Sequence, residues 1–197
     1  SVAQAYGARK FDKMNKYAGN SITLAFVIGM VIMIVAHFLS RPLLKAIDTP
    51  DDIIDMSAQY IDVLYYAVPI QMSLNNFNAL SRAVGDSKRP LYFLIVSVIV
   101  NLLLDILFVG AFKWGVIGAA WATAISELVA AVLSAISVLK HTEEYNIDKT
   151  ALKIDGKVSW AQIKIGIPIS LQFSITSIGS MVLQTAVNGF GSSVIAG

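Results

Sequence analysis

Five apolar stretches, each long enough to cross a bilayer, set the limits on what this chain can become. They run Ser21–Leu39, Ser57–Leu80, Pro90–Val109, Val116–Leu139 and Ile163–Val187. About 20 residues of helix cross a hydrocarbon core ~30 Å thick. An open sheet in lipid would leave backbone N–H and C=O groups unpaired, so helix is the form available to such runs. Only 14% of the residues are charged and 56% are hydrophobic, where soluble domains carry about 25% charge. The fold class expected is therefore an all-α polytopic membrane protein.

The basic residues predict the topology. All fifteen Lys and Arg fall in connections or at segment ends. Arg9, Lys10, Lys13 and Lys16 precede the first span. Arg82, Lys88 and Arg89 lie between the second and third, and Lys140, Lys149, Lys153, Lys157 and Lys164 between the fourth and fifth. The other side carries only Arg41, Lys45 and Lys113. The positive-inside rule places the first three groups in the cytoplasm, with loop 40–56 and the turn at 110–115 outside. The net charge of +2 thus belongs to solvated loops and implies no nucleic-acid partner. With no cysteine, disulfides and thiolate metal sites are excluded. The chain has no start methionine, signal peptide or soluble domain, and it reads as a piece of a larger membrane protein.

Inside the spans the polar residues are few and patterned. Ser97, Asn101 and Asp105 recur every four residues, one polar stripe along the third span. A carboxylate at mid-bilayer costs roughly 2.5–3.5 kcal/mol, so Asp105 and Asn101 point to a site for a proton or a small cation. A buried acid that only ties helices together is the bland alternative, although an amide would do that at lower desolvation cost. Thr123 and Glu127 lie four apart on the fourth span. A short turn makes the third and fourth spans antiparallel neighbours, which brings Thr123 to the depth of Asp105. Glu127, one turn deeper, fits a proton relay or an amide-like helix tie.

The second span holds Pro69, expected to kink it, and the amides Gln71, Asn75, Asn76 and Asn78. Such amides either join helices or line a wet cavity. Asp62 at its outer end is expected to be hydrated, and His37 of the first span reads as an interfacial histidine. Gly115/Ala119 and Gly118/Ala122 allow close approach of another helix. The fifth span carries Gln172, Thr176, Ser180 and Gln184, suited to a cavity wall or to packing between two lobes. No His/Glu/Asp cluster has metal-ligand spacing and no Ser/His/Asp set falls in one cavity, so an enzyme is not expected.

Several of these stretches, taken in order, resemble the multidrug and toxic compound extrusion (MATE) transporters. They are Ala3-Gln4-Ala5-Tyr6-Gly7-Ala8, then Leu80-Ser81-Arg82-Ala83-Val84-Gly85-Asp86-Ser87-Lys88-Arg89-Pro90, Asn101-Leu102-Leu103-Leu104-Asp105, Gly115-Val116-Ile117-Gly118-Ala119-Ala120 and Gly166-Ile167-Pro168. The resemblance covers the whole chain and implies part of a twelve-helix, two-lobe protein. Residues 1–139 would run from the end of the second helix to the sixth, most of the N-terminal lobe. Residues 140–164 would be the cytoplasmic link between lobes, and 165–197 the seventh helix, opening the C-terminal lobe.

The closest branch resembled is the DinF-like prokaryotic one. There the resemblance implies a coupling site formed by Asn101, Asp105 and Thr123, completed by an aspartate on a first helix that would precede Ser1. Oxygen ligands there suit Na⁺, and a carboxylate buried in the lobe serves H⁺ equally. The NorM-type branch uses a glutamate at the place nearest Thr176, so Thr176 argues against that mechanism. Glu127 is a departure, since an uncharged polar residue, often glutamine, is the family's pattern there. The function implied is a secondary antiporter exporting cationic or amphiphilic organic compounds against Na⁺ or H⁺, with Gln71, Asn75, Gln172 and Thr176 as candidates for the substrate cavity. The alternative is a flippase for lipid-linked oligosaccharides or polysaccharides. No cofactor beyond the coupling ion is implied, and the expected setting is a monomer in the plasma (inner) membrane of a prokaryote.

Overall fold

The chain forms a short helix and five long ones in a computed structural model that describes residues 2–46, 51–140 and 152–189. They are α1 (Val2–Gly7), α2 (Phe11–Ala46), α3 (Asp51–Ala83), α4 (Lys88–Asp105), α5 (Gly115–Lys140) and α6 (Gly156–Gly189). A π-helical turn, Ile106–Ala111, continues α4. Each long helix outruns the apolar stretch that announces it. The 36 residues of α2 reach about 54 Å at ~1.5 Å per residue, so its ends extend beyond the hydrocarbon. Lys13 and Lys16 lie toward one end and Arg41 toward the other, where a cation meets headgroups and water.

Three of the helices are both long and apolar enough to cross a membrane: α2, α4 with its π-helical continuation, and α5. The other two expected spans, the second and the fifth, are the ones whose polar residues the sequence singles out. The helices α3 and α6, of 33 and 34 residues, are long enough, but amides and hydroxyls dilute their apolar character. The cause in α3 is Gln71, Asn75, Asn76 and Asn78, and in α6 Gln172, Thr176 and Ser180.

Residues 1–155 make one compact unit and 156–197 a second. In the first, α2 packs on α3, α3 on α5, and α5 on α4. Helix α5 is central because its inward face is built of small residues. Its buried positions are Gly118, Ala120, Ala122, Ala124, Ser126, Ala130, Ala131, Ser134 and Ser137, with Val138 the one larger side chain. Small side chains let backbones approach, which matters in lipid, where apolar side chains gain little by leaving hydrocarbon for each other. The large apolar residues point the other way. On α4, Leu102 and Leu103 are 59% and 61% exposed, an outward face suited to acyl chains. The closest backbone contact joins α2 and α3, where a Cβ on Gly29 would lie 2.7 Å from Pro69 Cα. Helix α3 runs unbroken through Pro69, and Ser73 Oγ donates to the Pro69 carbonyl at 2.7 Å.

Local chemistry sets the breaks. Between α3 and α4, Gly85 takes φ +91°, and Asp86 Oδ1 accepts from the N–H groups of Lys88 and Arg89 at 3.1 Å each. Those are helix-start donors that would otherwise lack partners, and Pro90 in the same turn needs none. Between α4 and α5, Lys113 and Gly115 both adopt φ +58°. Phe108, Phe112 and Trp114 stack there with ring centroids 5.0–6.1 Å apart, as aromatic groups do at a membrane interface.

Most of the expected inter-lobe link, residues 141–151, lies outside the described residues. Its last part is fixed on one stripe of α2. Thr23 Oγ1 donates to Leu152 O at 2.7 Å, Asn20 Oδ1 accepts from Asp155 N–H at 2.9 Å, and Lys16 Nζ pairs with Asp155 Oδ2 at 2.7 Å. Asn20 is fully buried. Helix α6 then begins at Gly156.

Two outcomes follow from these contacts. Gly29→Ala places a methyl against the Pro69 backbone, which cannot swing aside, and should destabilise the complete protein by about 1–3 kcal/mol, read as a lowered Tm. Asn20→Ala should speed tryptic cleavage after Lys153 severalfold, by removing a tie of about 1 kcal/mol; an unchanged cleavage rate would show that the tie restrains nothing.

Candidate functional site

Helix α4 turns one narrow stripe toward its neighbours. Phe93, Ser97, Asn101 and Asp105 stand on it at four-residue intervals, partly buried, while the flanking residues are mostly exposed. Facing them on α5 are Thr123, Ser126 and Glu127. Ser97 Oγ donates to Ser126 O at 3.0 Å, and Ser126 Oγ donates to Thr123 O at 2.8 Å. Thr123 Oγ1 donates to Ala119 O, one turn back, at 3.1 Å.

Asn101 joins the two helices at the level of Asp105. In the orientation that satisfies both ends of its amide, Nδ2 donates to Asp105 Oδ2 at 3.2 Å and Oδ1 accepts from Thr123 N–H at 3.3 Å. Turned over, the amide oxygen faces the carboxylate, and one long contact is left, Nδ2 to Thr123 Oγ1 at 3.5 Å. Asp105 Oδ1 is buried and accepts no hydrogen bond from the described residues. The expected trio of Asn101, Asp105 and Thr123 therefore does come together. The π-helical turn begins immediately after Asp105, with Phe112 N–H bonded to Leu107 O at 2.9 Å. Such wide turns recur at functional sites, and nothing in the residue pattern announced this one.

A cavity of about 260 Å³ opens among α3, α4 and α5. Asn101, Thr123, Glu127, Ser97, Asn78 and Phe93 contribute to its wall, and Asp105 does not. Glu127 Oε1 accepts from Gln71 Nε2 of α3 at 3.1 Å. The amide-rich stretch of α3 thus divides its labour. Gln71 meets Glu127, Asn76 Oδ1 accepts from Ser21 Oγ of α2 at 3.3 Å, and Asn78 Oδ1 accepts from Ser134 Oγ of α5 at 3.4 Å. Asn75 is exposed and stands outside the cavity wall, where Asn78 takes part instead.

Gln172 and Thr176 belong to the second unit, where both are exposed on α6 and Thr176 Oγ1 donates to Gln172 O at 2.9 Å. Near the outer end of the first unit, His37 Nδ1 lies 3.2 Å from Asp62 Oδ1, within ion-pair distance but misaligned for a hydrogen bond. Among the described residues no three His, Cys, Asp or Glu side chains converge, so a site rich in such ligands is not built here. What converges at Asp105 is a carboxylate, an amide and a hydroxyl, the donor set of a hard monovalent cation or a proton.

The MatE family model matches residues 1–107. The probable multidrug resistance protein YoeA of Bacillus subtilis is 31% identical over 202 residues, covering 99% of this chain and 44% of that protein. The multidrug export protein MepA of Staphylococcus aureus is 23% identical, over 99% of this chain and 43% of its own length. Among solved structures, a MATE crystal structure in the bent conformation superposes over the whole chain with a TM-score of 0.87 at 24% identity, using 44% of its own length. A MOP superfamily transporter from Pyrococcus furiosus, described as having a binding pocket of reverse polarity, superposes over 95% of this chain and 42% of its own with a TM-score of 0.85 at 23% identity. This chain spans about 44% of the length of the first of these relatives, and it belongs to the MatE family.

Proposed function

We propose that the complete protein is a secondary antiporter that exports organic compounds, cationic or amphiphilic, in exchange for Na⁺ or H⁺. The observation that carries the proposal is Asp105: a carboxylate inside a membrane helix, its Oδ1 buried without a hydrogen bond, beside Asn101 and Thr123. An acid so placed gains by binding a proton or a cation, and the surroundings supply oxygens of the right kind. Three side chains are fewer than the shell a Na⁺ ion takes, so the remaining ligands come from water or from parts of the protein beyond this chain.

The Asn101 amide gives the site two states. With the carboxylate charged and alone, the amide turns Nδ2 toward it. With a proton or Na⁺ in place, the amide oxygen becomes the better neighbour, accepting from the acid or ligating the ion, and Nδ2 turns to Thr123. Loading therefore changes the link between α4 and α5. An ion that binds one arrangement better than the other shifts the balance between them, as alternating access requires. Among its described residues the cavity wall carries no Lys or Arg, which leaves a polyanionic lipid-linked head without a partner and favours export of cations over the flippase reading. The setting that completes this reading is a monomer in the plasma membrane of a prokaryote; the Bacillus and Staphylococcus relatives are bacterial, and no cofactor is needed beyond the coupling ion.

The test is dye efflux by the complete protein, wild type against Asp105→Asn at equal expression, under separate Na⁺ and pH gradients. Efflux should fall by ~10-fold or more in the variant, as expected when an interaction worth at least ~1.4 kcal/mol is removed. The gradient that drives the wild type names the ion. Normal efflux by the variant would reduce Asp105 to a helix tie.

A further inference from the structure

We infer that Glu127 is the acid that recognises the transported organic cation, separate from the acid that takes the coupling ion. The inference rests on the antiporter reading and assigns its two charges to different tasks.

The separation is visible in the cavity. Among the described residues that line it Glu127 alone is ionisable; Asp105 stands outside that wall with a buried oxygen. A solute entering this space meets the Glu127 carboxylate and leaves Asp105 enclosed. Glu127 is also held ready. Gln71 donates to Oε1 at 3.1 Å, while Oε2 takes no hydrogen bond from the described residues. One oxygen is anchored and the other faces a ligand.

The remaining wall fits a lipophilic cation. Phe93, Leu74, Leu94 and Val98 give apolar contact, and Ser97, Asn78 and Thr123 give neutral polar groups. A phenyl ring and a carboxylate in one wall, with no Lys or Arg among its described residues, suit a quaternary ammonium or phosphonium centre. The 260 Å³ of space is below the ~300–1,000 Å³ that encloses a drug-sized ligand, so it receives the charged head and leaves the remainder outside. A helix tie between α3 and α5 explains the Gln71 contact, but an amide at position 127 would make the same tie without the cost of a charge in the membrane. A proton relay needs a second titratable partner in the cavity, and the wall provides none.

Equilibrium binding to the complete protein in nanodiscs, without gradients, tests this. The two probes are methyltriphenylphosphonium and its uncharged near-isostere triphenylphosphine oxide. Glu127→Gln leaves an amide oxygen to accept from Gln71, so the α3–α5 tie survives the change. It should lower the cation-over-neutral affinity ratio about tenfold, the ~1.4 kcal/mol that a partly screened charge–charge attraction is worth. Glu127→Asp, keeping the charge, should restore part of that ratio. Equal weakening of both probes, or no weakening of either, would overturn the assignment and return Glu127 to a structural role. Loss of cation preference in Asp105→Asn with Glu127→Gln unaffected would also overturn it, by giving recognition to Asp105. The antiporter reading stands or falls on a different readout, gradient-driven efflux by Asp105→Asn.

Discussion

Hydrocarbon offers no hydrogen bonds, and this one constraint organises the whole first unit. Each polar side chain carried into the helices must find its partner on the same helix or on a neighbour. Where the partner is a neighbour, the bond also fixes which helices touch and at what depth. Ser21 with Asn76 sets α2 against α3, Gln71 with Glu127 and Asn78 with Ser134 set α3 against α5, and Ser97 with the Ser126 carbonyl sets α4 against α5. Each such bond contributes only about 0.6–2 kcal/mol in a membrane, so none holds the bundle alone. Together they choose the register, while close packing against the small-residue face of α5 supplies the contact area.

That arrangement explains why α5 can serve as both scaffold and site. A helix with large side chains would hold α3 and α4 apart and leave Thr123 beyond reach of Asn101. With Ala122 and Ala124 fully or nearly buried beside it, Thr123 lies close enough for its backbone and hydroxyl to meet the Asn101 amide. Thr123 Oγ1 satisfies its own hydrogen by bonding to Ala119 O, so its lone pairs remain for an ion.

Much of the site was legible in the residues because its parts are close along the chain. Ser97, Asn101 and Asp105 stand on one face by helical spacing alone, and a short turn carries Thr123 back to the same depth. The Gln71–Glu127 bond was not legible, because it joins helices 56 residues apart and depends on α3 packing against α5 rather than on a local rule. That Asn78 and not Asn75 lines the cavity among α3, α4 and α5 was not legible for the same reason: spacing says which residues share a face, but only the neighbours say which face is inside. The π-helical turn after Asp105 has no signature in Ile106–Ala111, an apolar run that would fit an α-helix equally well. Each of the five expected stretches falls on a long helix, and three of those helices are apolar enough to cross a membrane. Hydrocarbon length alone could not tell that α3 and α6 would be less apolar than the rest, because their polar residues are accommodated by neighbours or exposed on one helix.

In the coupling role proposed for Asp105, the size of the charge cost matters. A carboxylate at the bilayer centre costs about 2.5–3.5 kcal/mol and one nearer the end of a span, as Asp105 at the end of α4 is, costs less, while a membrane potential of 100 mV supplies about 2.3 kcal/mol for each elementary charge moved. The two are comparable. Were the acid far more deeply desolvated, a proton would stay on it permanently and the site could not reset. Were it fully hydrated, loading would change the environment too little to bias one arrangement over another. Partial burial, with one oxygen engaged by Asn101 and the other enclosed, falls between these limits. The same reasoning separates it from Glu127, whose open, cavity-facing carboxylate can be neutralised by a solute that enters and leaves. In the roles proposed above, one lobe holds two acids, Asp105 outside the described cavity wall and Glu127 on it, and their placement and not their chemical identity decides which cation each one meets.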